Sequence, residues 1–394
     1  MTNLEAHPGE TVAEPDVRCP RQLQVFAPRT VPLGGIRAIP VRRTLPHRRL
    51  PTIGAWCFLD QFDGGDGAAA MTVLPHPHTG LQTVTWPVAG RIRHRDSLGS
   101  DVHVNPGELN LMTAGRGVSH SEFSEAGSPL AGVQLWLASP SGPDSGPPDF
   151  EQVTELPAVS GAGYRFEVFI GELAGARSPA RVFSPLVGAD GVIEPGASVR
   201  LAVERGWEHG LLVFAGGIEP AEPVDEYVPD RSPSGRVVGG GGAQSSAGTR
   251  GGDGVGGGAV GAGVDEGEGA DVLRGRIGAG NLVYFGGDRD HLEFTAGDEG
   301  ARVILIGGEP FEEPVVMFWN FVGRSHDDVA RASADWAADW DGGAAGPDAA
   351  PGPTGVPAGD PARRPRRFGT VPGHGGDHIP GPELPAVTLR PRRR

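Results

Sequence analysis

From Gln22 to Ile306 the chain is a succession of short β-prone runs, each closed off by glycine or proline. Leu81-Gln82-Thr83-Val84-Thr85-Trp86, Asp101-Val102-His103-Val104 and Gly132-Val133-Gln134-Leu135-Trp136-Leu137 represent the first half. Arg165-Phe166-Glu167-Val168-Phe169-Ile170, Gly210-Leu211-Leu212-Val213-Phe214-Ala215 and Arg302-Val303-Ile304-Leu305-Ile306 represent the second. β-Branched and aromatic residues suit a pleated surface, and frequent turns without long helical periodicity point away from helix bundles and α/β sheets. The expected class is all-β, organised as sandwiches or barrels.

At 394 residues the chain exceeds what one hydrophobic core usually serves, so two domains are expected. Residues 1–20 form a flexible start, 21–138 a first β domain, 139–160 a connector and 161–325 a second β domain. Pro106-Gly107-Glu108 in the first half is echoed by Glu194-Pro195-Gly196 in the second, which suits a duplicated barrel. Glycine (65) and proline (38) make up about a quarter of the chain, but unevenly. Residues 231–270 are dominated by glycine, with almost no large apolar side chains to offset ordering entropy, and are expected to be a disordered insertion in the second domain. The one persuasive helix covers 325–340, with a Ser/Asp-rich start and Val329, Ala332 and Trp336 at helical spacing. Residues 341–394 form a Gly/Pro-rich linker and tail whose closing arginines suit a solvated terminus.

The formal charge of -15 argues against general binding to nucleic acid or to anionic membrane surfaces. Every basic residue is arginine, which with the Gly, Ala and Pro content suits the codon bias of a GC-rich, bacterial genome. Cys19 and Cys57 are far apart and in no metal-binding spacing. The segment from Met1 to Gly9 lacks the basic start and apolar run of a signal peptide, and no apolar stretch approaches the ~20 residues that span a bilayer. A cytoplasmic protein is expected.

The chemistry sits in Leu74-Pro75-His76-Pro77-His78-Thr79-Gly80 and in Ala114-Gly115-Arg116-Gly117-Val118-Ser119-His120-Ser121-Glu122. Residues i and i+2 of a strand project to one face, so His76 with His78, and His120 with Glu122, form two same-face pairs. Facing one another inside a barrel, they supply three imidazoles and one carboxylate to a single metal ion. Pro77 lacks a donor and suits a strand edge. Such a ligand set accepts iron(II), manganese, nickel, cobalt, copper or zinc, and a six-coordinate ion held by four protein ligands keeps two positions open. His94, Arg95, Asp96 and Ser97 either line the mouth of the pocket, brace a ligand, or hold a turn. His103 is expected to be structural, and His209 and His291, with no His-x-His partner, surface or core residues.

HPHTGLQTVTW, GRIRHRDSLGS, NPGELNLMTAGRGVSHSE and GVQLWL together resemble the pirin family of the cupin superfamily. The similarity continues through GARVILIGGEPFEEPVVMFWNFVGRS and in the closing FGTVPGHGGDHIPGPELPAVTLRPR. The resemblance implies a bicupin: two face-to-face cupin-type barrels with a short C-terminal helix, the first barrel holding iron as Fe(II) on His76, His78, His120 and Glu122. Gln82 stands where many pirin-like chains carry Glu, and its i+4 distance from His78 allows it the same interior face. The resemblance further implies a dioxygenase of the quercetin 2,3-dioxygenase type, taking a small aromatic or enol substrate and dioxygen, with Glu122 as the proton acceptor. The alternative it offers is an iron-binding, redox-responsive regulator that acts through a protein partner without turnover.

Overall fold

Alternation along single strands decides how the two halves of the protein meet. In the strand Leu81–Ala89, Val84 and Trp86 project to one side and Thr83 and Thr85 to the other. In the computed structural model, which describes residues 11–13, 21–33, 39–63, 70–230, 266–341 and 366–389, Val84 and Trp86 enter an apolar cluster shared by both halves. Trp56, Leu59, Leu109, Leu111, Val133 and Leu135 meet Phe169, Ile170, Leu186, Leu212, Leu282 and Ile306 there. The inner face of each sheet is left to fill its own barrel. A sheet covered on both faces in this way needs nearly continuous apolar runs, and most of Trp56–Asp63, Leu81–Ala89 and Ala131–Ala138 is buried.

Eight strands build the first barrel: β1 Trp56–Asp63, β2 Thr72–His78, β3 Leu81–Ala89, β4 Ile92–Asp96, β5 Asp101–Val104, β6 Leu109–Thr113, β7 Val118–Ser124 and β8 Ala131–Ala138. β6, β3, β8 and β1 run side by side in a seven-stranded sheet, extended by Asp149–Val153 at one edge and by Ile39–Leu45 and Arg29–Leu33 at the other. β2, β7, β4 and β5, in that order, form the four-stranded sheet opposite. The second barrel is an 11-stranded sheet centred on Leu186–Ile193, His291–Gly308 and Glu208–Pro220. The architecture is the expected all-β pair of barrels with a C-terminal helix.

Polar atoms at the barrel interface are satisfied across it, as burial requires. Trp86 Nε1 donates to Asp190 at 2.8 Å, a carboxylate that Arg302 also holds. Trp56 Nε1 meets the carbonyls of Val187 and Gly307, and Glu208 accepts from the Gly54 N–H and from the Tyr284 hydroxyl.

Two segments cross the boundaries expected from sequence. Arg21–Phe26, expected within the first domain, pairs with Leu282–Gly286 and Glu226–Val228 of the second barrel. Asp149–Val153, expected within the connector, pairs with β6 of the first. Each covers an edge that would otherwise present unpaired backbone to solvent. The glycine-rich insertion lies outside the described residues as far as 265, and from Glu266 the chain forms a short helix, Glu266–Leu273.

The C-terminal helix, His326–Asp341, begins at a capping arrangement: the Asp328 carboxylate accepts from the Ser325 N–H, and Ser325 Oγ from the Asp328 N–H. Val329, Ala332 and Trp336 are its buried stripe. Residues 366–389, part of the expected Gly/Pro-rich linker and tail, lie across the outside of β2 and β7. Phe368, Val371, Ile379 and Leu389 are buried, the Ile379 N–H donates to Pro75 O, and Ser119 Oγ donates to Phe368 O. Phe368 packs against Phe321 and Trp336. Phe368→Ala should lower the free energy of unfolding by about 3 kcal/mol or more, measured by urea denaturation; an unchanged midpoint would mean that the tail does not dock in solution.

Candidate metal centre

β7 is flanked by β2 and β4, so its inward side chains have neighbours on both sides. His120 lies opposite His76 of β2 and Asp96 of β4, and Glu122 lies opposite Val73 and His94. Between these pairs β2 carries one residue more than β7, a bulge at Leu74 and Pro75. Proline has no N–H to give a ladder, and β2 is the edge strand of its sheet, so Pro75 and Pro77 are tolerated there.

His76, His78 and His120 are each 0 % exposed, and one ring nitrogen from each lies within 4.8 Å of the others. His78 Nε2 and His120 Nε2 are 3.1 Å apart. His76 Nδ1 is 2.8 Å from Leu74 O and must carry the proton that bridges them, which leaves its Nε2 with a lone pair and no hydrogen-bond partner. Burial, the largest influence, pushes all three imidazoles well below the ordinary histidine range, with further lowering by the neighbouring rings. The three are therefore neutral at pH 7. Close, neutral nitrogens with an unused lone pair in a dry interior are a poor hydrogen-bonding arrangement and a good cation-binding one. The residues fit a divalent metal.

Glu122, also 0 % exposed, is grouped with His120 and His94, a second set of ligand-type atoms within 4.8 Å of one another. Of the four expected ligands, the three histidines come together in one group, while Glu122 shares its group with His120 and with His94, its cross-strand neighbour.

His94 and Asp96 turn inward with them. His94 Nδ1 is 3.3 Å from His120 Nδ1, its Nε2 is 3.1 Å from Asp96 Oδ2, and its ring stacks on Phe150. Asp96 Oδ1 accepts from the N–H groups of Leu98 and Ser100, so this carboxylate holds a turn as well as a histidine. Burial, the largest single influence, would raise the Asp96 carboxyl, but hydrogen bonding and charge from His94, with Ser100, together hold it below its usual range.

Residues the sequence did not single out complete the interior. Thr85 Oγ1 lies 3.0 Å from Glu122 Oε1 and 3.0 Å from Gln134 Oε1. A hydroxyl has one proton to give. Turned end for end, the Gln134 amide meets the hydroxyl with its NH2 group and leaves that proton to the carboxylate. Cross-strand register aligns Arg43, Asp60, Gln134, Thr85 and Asn110 in one row across five strands. Arg43 and Asp60, 1 % and 0 % exposed, form a two-pronged ion pair of 2.7 and 2.8 Å, so the row carries charge without a net charge.

Gln82 is elsewhere. It donates to Thr113 Oγ1 and to the carbonyl of Arg181, on the face of β3 turned toward the second barrel. Counting by twos from His78 fails because the chain turns at Thr79-Gly80 and changes sheets. Gly80, at φ +68, is required at that turn: a Cβ there would lie 2.1 Å from Val322 O. His103 is exposed, and His291 is near Asp290 and Glu293. His209 is a core residue of the second barrel whose ring nitrogens have no partner among the described residues, and burial brings it down to about 4.

The depressed imidazoles give a signed pH dependence. Their folded values lie below the unfolded ~6.5, so the unfolded chain binds more protons as pH falls, and stability is present above ~6.5 and lost progressively below it. The metal-free protein should lose up to about 1.4 kcal/mol per pH unit for each such histidine. Thermal melts from pH 7.5 to 5 check this, and His76→Asn should flatten the slope.

The comparisons with known proteins agree with this geometry. A family model described as Pirin matches residues 38–137, and one described as the Pirin C-terminal cupin domain matches residues 261–339. A Pseudomonas aeruginosa protein named "Putative quercetin 2,3-dioxygenase" is 35% identical over 81% of this chain and 86% of its own. A pirin-like protein of Caulobacter vibrioides is 32% identical, covering 79% of this chain and 92% of its own. A crystal structure of quercetin 2,3-dioxygenase from Acinetobacter baumannii superposes with a TM-score of 0.68 at 29% identity, over 94% of this chain and 98% of that one. Two cupin domains, the first enclosing the histidine cluster, and this degree of relatedness place the chain in the pirin family.

Proposed function

We propose that the protein is an iron-dependent dioxygenase of the quercetin 2,3-dioxygenase type, acting on flavonol-like or other enol and catechol substrates. The observation that carries this reading is the cluster of His76, His78 and His120 with Glu122 beside it, all buried and all on two adjacent strands of one barrel. His76, His78, His120 and Glu122 would hold the ion. When bound, Fe(II) would supply redox chemistry with dioxygen and an electrophile for an enol oxygen.

The protein's own groups have distinct tasks. The neutral imidazoles offer lone pairs to a cation, which protonated rings could not do. Glu122 is the base that takes the substrate hydroxyl proton at its carboxylate, and Thr85 steadies that carboxylate through Oε1. The dry surroundings, with Trp136 packed against the His78 ring and stacked on Phe58, exclude bulk water from the reacting centre. Similarity to the two proteins named as quercetin 2,3-dioxygenases supports the substrate class.

Protein loaded anaerobically with Fe(II) and then mixed with quercetin in air should bleach the flavonol absorption band while consuming dioxygen. Glu122→Gln should slow the bleaching by about 100-fold or more. Absence of turnover with iron and with manganese, nickel, cobalt, copper and zinc would overturn the reading for quercetin.

A further inference from the structure

His94 and Asp96 are not among the four expected ligands, yet they are buried to 2 % and 0 % exposure and touch the cluster at its most shared member. The protons along this contact can be placed. Asp96 Oδ1 is occupied by two backbone N–H donors, and Asp96 Oδ2 faces His94 Nε2 at 3.1 Å. An ionised carboxylate only accepts, so a neutral His94 ring carries its proton on Nε2 and presents a bare Nδ1. That bare nitrogen faces His120 Nδ1 at 3.3 Å, which must then be the protonated nitrogen of His120. His120 Nε2, the atom 3.1 Å from His78 Nε2, is left with its lone pair directed at the histidine cluster. With both rings neutral, each donor in the series finds an acceptor, and only one tautomer of each ring satisfies it.

We infer that Asp96 and His94 are positioning residues that fix the tautomer and orientation of His120, so that its Nε2 is pre-set as a metal donor. The inference rests on the metal-binding reading above. Its components are anchored independently of any ion. Asp96 sits in a turn closed by the Asp96 N–H to Ser100 O and the Gly99 N–H to Asp96 O bonds. His94 is held between the rings of Phe150, with centroids 4.6 Å apart, and His120, 5.0 Å away. Phe150 belongs to the strand that leaves the first barrel, so the orientation of His120 is tied to the join between the two halves.

The test uses the full chain and zinc as the probe, because zinc is diamagnetic. Asp96→Asn keeps an oxygen for the Leu98 and Ser100 N–H groups but replaces the acceptor facing His94 with a donor. His94→Leu removes the acceptor facing His120, whereas His94→Gln restores an oxygen there. Zinc affinity measured by chelator competition should fall about 10- to 100-fold in Asp96→Asn and in His94→Leu, and His94→Gln should recover part of the loss. Long-range nitrogen–proton NMR spectra of zinc-loaded wild type, labelled at histidine nitrogen, should show His120 protonated at Nδ1 and His94 at Nε2. Equal affinity in wild type and both weakening variants would overturn the positioning role. So would Leu and Gln at position 94 behaving alike, as simple packing predicts, or a His94 nitrogen signal displaced to the metal-bound position. If wild type binds no metal, the metal-centre reading itself fails, an outcome distinct from the others.

Discussion

Neutral imidazoles packed nitrogen against nitrogen, away from water, are the constraint around which the first barrel is arranged. Burying a polar group without a partner is unfavourable, and burying three whose lone pairs converge is more so. The surroundings limit that cost. Leu74 O takes one proton from His76, the His94–Asp96 pair occupies the far side of His120, and Thr85 holds Glu122. What remains unpaired is a set of nitrogen lone pairs aimed at common space, an arrangement that a cation relieves and a water molecule relieves only in part. The scaffold follows from this: β7 between two neighbours in its sheet, Pro75 and Pro77 placed on the edge strand β2, and a glycine corner at Gly80 that sends the chain into the opposite sheet.

The residues of the buried cluster were legible because their relationship is local. His76 with His78, and His120 with Glu122, need only the two-residue repeat of a strand, which any extended segment obeys. Gln82 illustrates where that rule ends: two residues of turn separate it from His78, and the side-chain alternation restarts in another sheet. His94 could be offered only as one of several roles, since its contact with His120 depends on which strand lies beside β7 and in what register. The same applies to Thr85, Gln134 and the Arg43–Asp60 pair. They are ordinary strand residues in sequence and become one polar row only after five strands align.

The architecture divides in a similar way. Short strands, turn residues and the buried stripe of Val329, Ala332 and Trp336 announce themselves through composition and period. The exchange of edge strands does not, because nothing in Arg21–Phe26 names Leu282–Gly286 as its neighbour. Pairing across such distances is decided by which sheet edge is open once both barrels exist. The segment 366–389 is rich in proline and glycine and suggests a loose end, yet a few apolar anchors, Phe368, Ile379 and Leu389 among them, suffice to seat it. Composition describes the backbone between such anchors and says little about the anchors.

That seating has a consequence for biosynthesis. β2 and β7 leave the ribosome early, but Arg367, Phe368, His374 and Ile379, which hold the carbonyl of Arg116, the hydroxyls of Ser119 and Ser121, and the carbonyl of Pro75, are translated much later. A nascent chain therefore presents its histidine-bearing wall without its outer support until that later segment has been made and has docked.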